Sequence, residues 1–427
     1  MKNSIQITLP LLILLAFLSS CHKDGSSKPP TTTVPPNDST TIGTMKINLA
    51  LPSYVTNSEL IISETTGKVL LDTLAPSGAT IVATLQTNAT LVDLTYVGFQ
   101  QIDSNRYSVS TYKAVNPSTW TSLTGSGIYK TLSTTGNYAN ASVLFTNVHY
   151  NQVVQFSAGA LGSTGYAFDP GAATVSATYY QYPNSYVYLL LPNYQLYKLQ
   201  AVDAQKDTID CTTMDTANAV IFNKPSYYTL STSSLYGWVD TTNVNSSIDL
   251  YFYYPSPQTP VIPDLVYPKK GIQAFMLFAS WSGPGPEESM TAYSYGDSIP
   301  TSFNLPPPGS YNISSTKNTA FAMQINTTKP SYCYTYWGNG SVTTKNVIFW
   351  NLYASPDSTS FNPLSILMAQ KSKLLQGMDL TTLSLNGFSC ENVPGYDYAG
   401  YLELLFKPNT SQPNHVSNTI LYGKQFQ

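Results

Sequence analysis

The sequence predicts an all-β chain: tandem antiparallel β-sandwich modules behind an N-terminal leader and a flexible tether. Three observations predict it. Short stretches alternate between apolar and polar residues, as half-buried strands do. The chain carries 33 Tyr, 29 Pro and 25 Gly, so strand-favouring rings are punctuated by turn formers. No long stretch keeps a 3.6-residue period without a Pro or Gly, which removes the helical alternative.

The elements follow in order. Met45 to Leu51 alternates and opens the first module, expected over 44–130. Glu59 to Ser63 and Lys68 to Asp72 flank Thr66-Gly67 and read as a hairpin. Thr80 to Leu85, Ala89 to Val97 and Tyr107 to Tyr112 add strands with short connections, which favour antiparallel pairing. A second module is expected over 139–238, with strands at Ala141 to Asn147, Val153 to Phe156, Ala173 to Tyr180, Tyr186 to Leu191 and Leu196 to Val202. Ala219 to Phe222 and Tyr227 to Leu230 complete it. The remainder, 239–427, is a β-rich C-terminal module long enough to hold two sandwiches. Its strand candidates are Ile248 to Tyr254, Gln273 to Ser280, Tyr311 to Ser315, Ala320 to Ile325, Tyr332 to Trp337, Val347 to Trp350 and a closing strand at Tyr401 to Phe406. Pro363 to Gly377 has the spacing of a short amphipathic helix, with Pro at its start and Gly at its end.

The N-terminus has its own logic. Lys2 precedes an apolar run from Ile5 to Phe17, and Leu18-Ser19-Ser20-Cys21 closes it. A basic start, a short apolar run and small residues read as a secretory signal over 1–20. The run is too short for a comfortable transmembrane helix. Leu18-Ser19-Ser20-Cys21 resembles the lipobox of Bacteroidota-type lipoproteins. That resemblance implies cleavage before Cys21, a diacylglyceryl thioether on its sulfur and an acylated amino group. The partner so implied is the lipid bilayer, and the location is the cell envelope as an outer-membrane lipoprotein. Whether the protein faces outward or toward the periplasm stays open. Residues 21–43 hold Pro29, Pro30, Pro35 and Pro36 among Ser and Thr, the composition of an extended tether.

Composition excludes some functions. Charged residues make up 10% of the chain, against roughly 25% in an ordinary domain, and the net charge is −3. No basic field exists to neutralise phosphates, so nucleic acid is not an expected partner. No metalloprotease, nucleophile-elbow or paired Cys–His signature occurs, and no cofactor is expected. His149 and His415 read as rim residues, and Glu287 and Glu288 as a loop charge pair rather than the spaced carboxylates of a glycosidase. The chain is expected not to be an enzyme. Beyond Cys21, the cysteines Cys211, Cys333 and Cys390 allow one disulfide in any of three pairings.

The aromatics point to binding. Strand alternation puts Tyr332, Tyr334 and Tyr336 on one face and Cys333, Thr335 and Trp337 on the other. Trp281 opens the segment Trp281 to Ser289 and is expected in a Gly/Pro-bounded loop, where a large ring is harder to explain as core. Exposed rings stack on the apolar faces of sugars while amides supply hydrogen bonds. Trp281, Tyr334 and Trp337 are therefore the candidate ligand-facing residues. The segment Val347 to Asn351, continuing as Leu352-Tyr353-Ala354-Ser355-Pro356-Asp357, resembles the opening of an uncharacterised β-sandwich module of secreted Bacteroidota proteins. Six Asp-Ser/Thr sites, among them Asp207-Thr208 and Asp215-Thr216, are similar to O-glycosylation sites of exported proteins in that group. In organisation the chain resembles accessory sugar-binding lipoproteins. The resulting expectation is a non-catalytic envelope lipoprotein that binds neutral glycan. The alternative is a structural or adhesive envelope protein that binds a protein partner.

Overall fold

In the computed structural model, residues 42–101, 104–124, 136–148, 154–158, 164–167, 173–221, 226–253, 264–285, 287–339, 346–407 and 417–426 are described. The architecture is predominantly antiparallel β, as the alternation predicts. It is distributed over several sheets, of two, three, six, twelve and three strands. The twelve-stranded sheet organises the rest. Its order is Ser247–Tyr253, Thr229–Trp238, Ala274–Ser282, Glu288–Gly296, Thr419–Gln425, Ser384–Asn392, Tyr332–Gly338, Asn346–Ala354, Asn105–Val115, Val92–Gln101, Asn57–Glu64 and Val69–Pro76. All neighbours are antiparallel except Asn346–Ala354 and Asn105–Val115, which run parallel from Asn346 opposite Asn105 to Tyr353 opposite Tyr112.

That sheet draws strands from all three segments expected as separate sandwiches. The boundaries expected at 130/139 and 238/239 are thus not sheet boundaries, and Ile42–Gln427 forms one compact unit. The physical reason lies in strand edges. A strand left unpaired at a module's rim exposes its amide and carbonyl groups, and pairing with a distant segment satisfies them.

Local chemistry explains most elements. In the first hairpin, Gly67 adopts φ +92°, and its N–H donates to the Glu64 carbonyl at 2.8 Å. That backbone conformation suits glycine. Helix α1, Pro363–Gln370, starts where Asn362 accepts from the Ser365 N–H at 2.9 Å and Pro363 fills the first turn. It stops seven residues before Gly377 because Lys371 takes the left-handed conformation, at φ 51°.

Two expectations near the C-terminus are corrected. Tyr401 to Phe406 is no strand; it belongs to helix α2, Tyr398–Phe406. Asp397 caps that helix, accepting from the Gly400 N–H at 2.8 Å. Tyr398, Tyr401, Leu402 and Phe406 form its buried stripe, a helical and not a two-residue spacing. The closing strand is Thr419–Gln425 instead. It inserts between Glu288–Gly296 and Ser384–Asn392, two strands whose Ser, Thr and Gly content hid them in the sequence.

The apolar interior falls into several clusters. The largest packs Leu277, Ala279, Trp281, Trp337, Trp350 and Phe388 with residues of the six-stranded sheet such as Tyr188 and Leu190. A second sits where the two-stranded sheet of Thr44–Ala50 and Thr80–Gln86, together with α2, packs with the first segment's strands. A third lies among Val143, Phe145, Val175, Tyr179, Val187, Leu189 and Ile209. Cys333 and Cys390 stand opposite each other on paired strands and form a disulfide, which selects among the three pairings. Cys211 remains a buried thiol, its pKa pushed up to about 11 by desolvation.

Candidate functional site

The site is built on the third cluster. Ala139–Thr146 pairs with Thr174–Gln181, placing Tyr180 opposite Asn140 and Gln181 opposite Ala139. Along Thr174–Gln181 the residues alternate strictly. Val175, Ala177 and Tyr179 face the interior, so Tyr180 is turned outward and is 49% exposed. Tyr138, just before the paired strand, is 57% exposed and lies beside Tyr180 at 4.8 Å between ring centroids. Tyr138 also approaches Tyr182 at 5.7 Å.

Tyr182 is held by a tight turn. Its N–H donates to the Ser185 hydroxyl at 3.0 Å, that hydroxyl donates back to the Tyr182 carbonyl at 2.8 Å, and Asn184 takes φ 59°. Asn tolerates this conformation better than most residues. Gln181 Nε2 donates to the Val202 carbonyl at 3.2 Å and ties the turn to the strand Leu196–Val202. Asn245 Nδ2 reaches the Pro183 carbonyl at 3.3 Å from a separate segment.

Between this turn, Tyr138 and the turn after Val202 lies an open groove of about 750 Å³. The amides of Asn137, Gln181, Asn184 and Gln205 line it, with Asp203 as the charged group and no cation among the described lining residues. Its volume falls within the usual range for ligand sites. A groove with aromatic rings and neutral amides can bury an apolar face while satisfying hydroxyls on its rim. The surface aromatics are thus compatible with a ligand- or partner-binding β domain.

The residues expected to face a ligand lie elsewhere. Trp281 is 1% exposed and meets Phe303 edge-to-face at 6.0 Å. It sits within Ala274–Ser282, where alternation turns Leu277, Ala279 and Trp281 inward and Phe278 outward. The strand runs through Ser282, up to the first glycine at Gly283, so the ring belongs to the core and not to the expected loop. Trp337 is fully buried, packed on Phe321 at 6.3 Å and Trp350 at 6.4 Å, with Nε1 donating to Thr335 Oγ1 at 2.7 Å. Neither tryptophan faces solvent. Tyr334 is half-buried, 5.4 Å from Tyr353, on the flank of an interior tyrosine cluster. Cys21, His149 and His415 lie outside the described residues. Glu288 begins a strand and pairs with Lys424 at 3.0 Å; both glutamates of the expected loop pair are half-buried.

Sequence reasoning missed Tyr138 and Tyr182 and listed Tyr180 only as part of a strand. The available signal was the run Tyr179-Tyr180-Gln181-Tyr182-Pro183-Asn184. Its alternation, cut short by a Pro-Asn turn, throws Tyr180 outward when Tyr179 is core.

The interior tyrosine cluster also contains a perturbed carboxyl. Burial pushes Glu391 up to about 8. The Tyr332 hydroxyl bonds to its carboxylate, and the Tyr401 hydroxyl donates to Tyr332 at 3.2 Å. Raised carboxyls occur at active sites. This one is 4% exposed, beneath Tyr332 and Tyr401, each 5% exposed, and it does not line the groove. A second buried acid, Glu59, accepts from the Ser372 hydroxyl at 2.5 Å and from the Lys373 and Leu374 N–H groups at 2.8 and 3.0 Å. It fastens the loop after α1 to the sheet. No group of three potential metal ligands is brought together among the described residues.

No family model matches the chain, and no curated protein is similar to it. A solved structure of a Ca2+-stabilized adhesin, described as helping an Antarctic bacterium reach out and bind ice, is similar at 7% identity. The likeness covers 80% of this chain and 88% of that one at a TM-score of 0.12, a level that carries no argument about function.

Proposed function

We propose that this protein is a non-catalytic lipoprotein of the cell envelope that binds neutral glycan in the groove lined by Tyr138 and Tyr182, with Tyr180 packed against Tyr138. One observation carries the reading: Tyr138, with Tyr180 and Tyr182 packed around it, borders a groove whose described lining holds four neutral amides and one charged group, Asp203. Sugar rings offer apolar faces for stacking and hydroxyls for amides, and they need no charged groove. The cross-strand disulfide fits an oxidising compartment outside the cytoplasm. Leu18-Ser19-Ser20-Cys21 supplies the anchor, and two or more acyl chains give the stable membrane attachment that one chain does not.

The test has two parts. The full-length protein, purified in detergent, is screened on a glycan array and against envelope extracts. Specific glycan binding that is lost in Tyr138→Ala and Tyr180→Ala supports the reading. Retention of an envelope protein with no glycan bound favours the structural or adhesive alternative, and turnover of any polymer overturns both. For the anchor, labelled palmitate enters the wild-type protein and not Cys21→Ala; equal labelling of the two defeats it.

A further inference from the structure

The ring planes in the groove narrow the class of glycan, an inference that rests on the glycan reading. Tyr138 stands at 61° to Tyr180 and at 52° to Tyr182, so it is coplanar with neither. A flat ribbon, such as an extended β-1,4 chain, presents its sugar faces in parallel planes. It seats best on coplanar aromatic rings, and an insoluble crystalline face needs a flat platform as well. Here the two lining rings, Tyr138 and Tyr182, are tilted by 52° against each other. The groove is also bordered by the 182–184 turn and by Asp203 and Gln205. A chain that curves or coils tilts each sugar plane against the next, and tilted rings can follow it.

The charge of the groove narrows the class further. Asp203 is its charged lining residue. A carboxylate there repels uronic acids and sulfated sugars, with no cation among the described lining residues to offset it. We infer that the groove takes a soluble, neutral polysaccharide chain of curved conformation and discriminates against flat ribbons and acidic polymers.

Isothermal titration of the full-length protein in detergent tests this with four probes. Laminarin and maltoheptaose are neutral and curved; cellohexaose is neutral and flat; an oligogalacturonate is acidic. The expected result is at least about tenfold tighter binding of one curved glucan than of cellohexaose or the oligogalacturonate. Tyr138→Ala should weaken that binding about tenfold, the size of one aromatic contact, and Tyr138→Phe should largely retain it. Equal or tighter binding of cellohexaose or the oligogalacturonate overturns this inference and leaves the glycan reading standing. Binding of none of the four, together with an empty glycan array, overturns both. Tyr138 is exposed, so an unchanged melting profile separates a lost contact from a lost fold.

Discussion

Two tyrosine clusters in this molecule use the same residue and reach opposite ends. At the groove, Tyr138 and its neighbour Tyr180 are about half exposed. In the interior, Tyr332 stacks at 4.2 Å on Tyr401, a residue of α2's buried stripe, and Tyr112 stacks on Tyr353 at 4.8 Å. Burial there pushes the Tyr332 and Tyr401 phenols well above their ordinary value. Both clusters begin as alternating strands rich in tyrosine. What separates them is a lid: α2 arrives from 45 or more residues along the chain and covers one cluster, while no described element covers the other. A tyrosine stripe therefore says that a strand has two useful faces. Which face becomes a surface depends on a segment that the stripe does not contain.

The strongest way to break this comparison is to empty the buried side. Trp281→Ala and Trp337→Ala each delete a fully buried ring and should cost about 3–5 kcal/mol in urea unfolding. A change below about 1 kcal/mol for Trp281→Ala would mean that its ring is not core, and would restore it as a surface candidate.

Reduction of the disulfide comes next. It closes a separation of 57 residues across neighbouring strands of the large sheet. Chain entropy assigns such a loop about 4 kcal/mol, and the measured loss is often smaller. Cys333→Ser with Cys390→Ser should lower the midpoint in urea accordingly, and reductant should then leave the variant unchanged. Mass mapping of a disulfide to Cys211 in place of either partner would refute the pairing.

The buried acid sharpens the comparison through pH. Glu391 rises from its ordinary value of 4.5 to about 8 because its site is desolvated. The unfolded chain releases this proton at the lower value and the folded chain at the higher one. Stability from this group is therefore full below about pH 4.5, falls through the interval, and is lost above about 8. The total is on the order of a few kcal/mol, at about 1.4 kcal/mol per pH unit. Glu391→Gln should flatten the decline between pH 5 and 9, in unfolding measurements at each pH. A parallel decline in wild type and variant would remove Glu391 as its source.

The fold was more legible than the site, for a physical reason. Alternation and turn residues are local, so the Met45 to Leu51 strand, the Thr66-Gly67 hairpin and the start of α1 at Pro363 are visible in the sequence. Helix α2 was misread because Tyr401 to Phe406 is apolar on nearly every residue, and the Asp397 cap is what decides its period. Long-range facts had no local trace. The parallel pairing of Asn346–Ala354 with Asn105–Val115 joins segments 241 positions apart, as Asn105 Nδ2 donating to Asn346 Oδ1 at 2.8 Å illustrates. The same holds for the groove. Tyr138 and Tyr180 meet only because the register sets Ala139 against Gln181. Trp281 looked like a site because it borders a Gly/Pro-rich stretch, but the strand's alternation already turned it inward.

The smallest effect on stability belongs to the exposed side, where the comparison becomes most telling. Tyr180→Ala removes a ring that is about half in water. Exposed substitutions away from caps and cores usually stay within about 0.5 kcal/mol. The neighbouring Tyr179→Ala deletes a ring that is 5% exposed and belongs to the third core cluster, so it should cost about 3–5 kcal/mol. Two adjacent tyrosines of one strand thus form an internal control. Urea unfolding should separate them by several kcal/mol, whereas glycan binding at a temperature where both are folded should be weakened chiefly by Tyr180→Ala. Equal destabilisation by the two variants would show that Tyr180 is buried in solution, and the aromatic surface beside the groove would then lose one of its three rings.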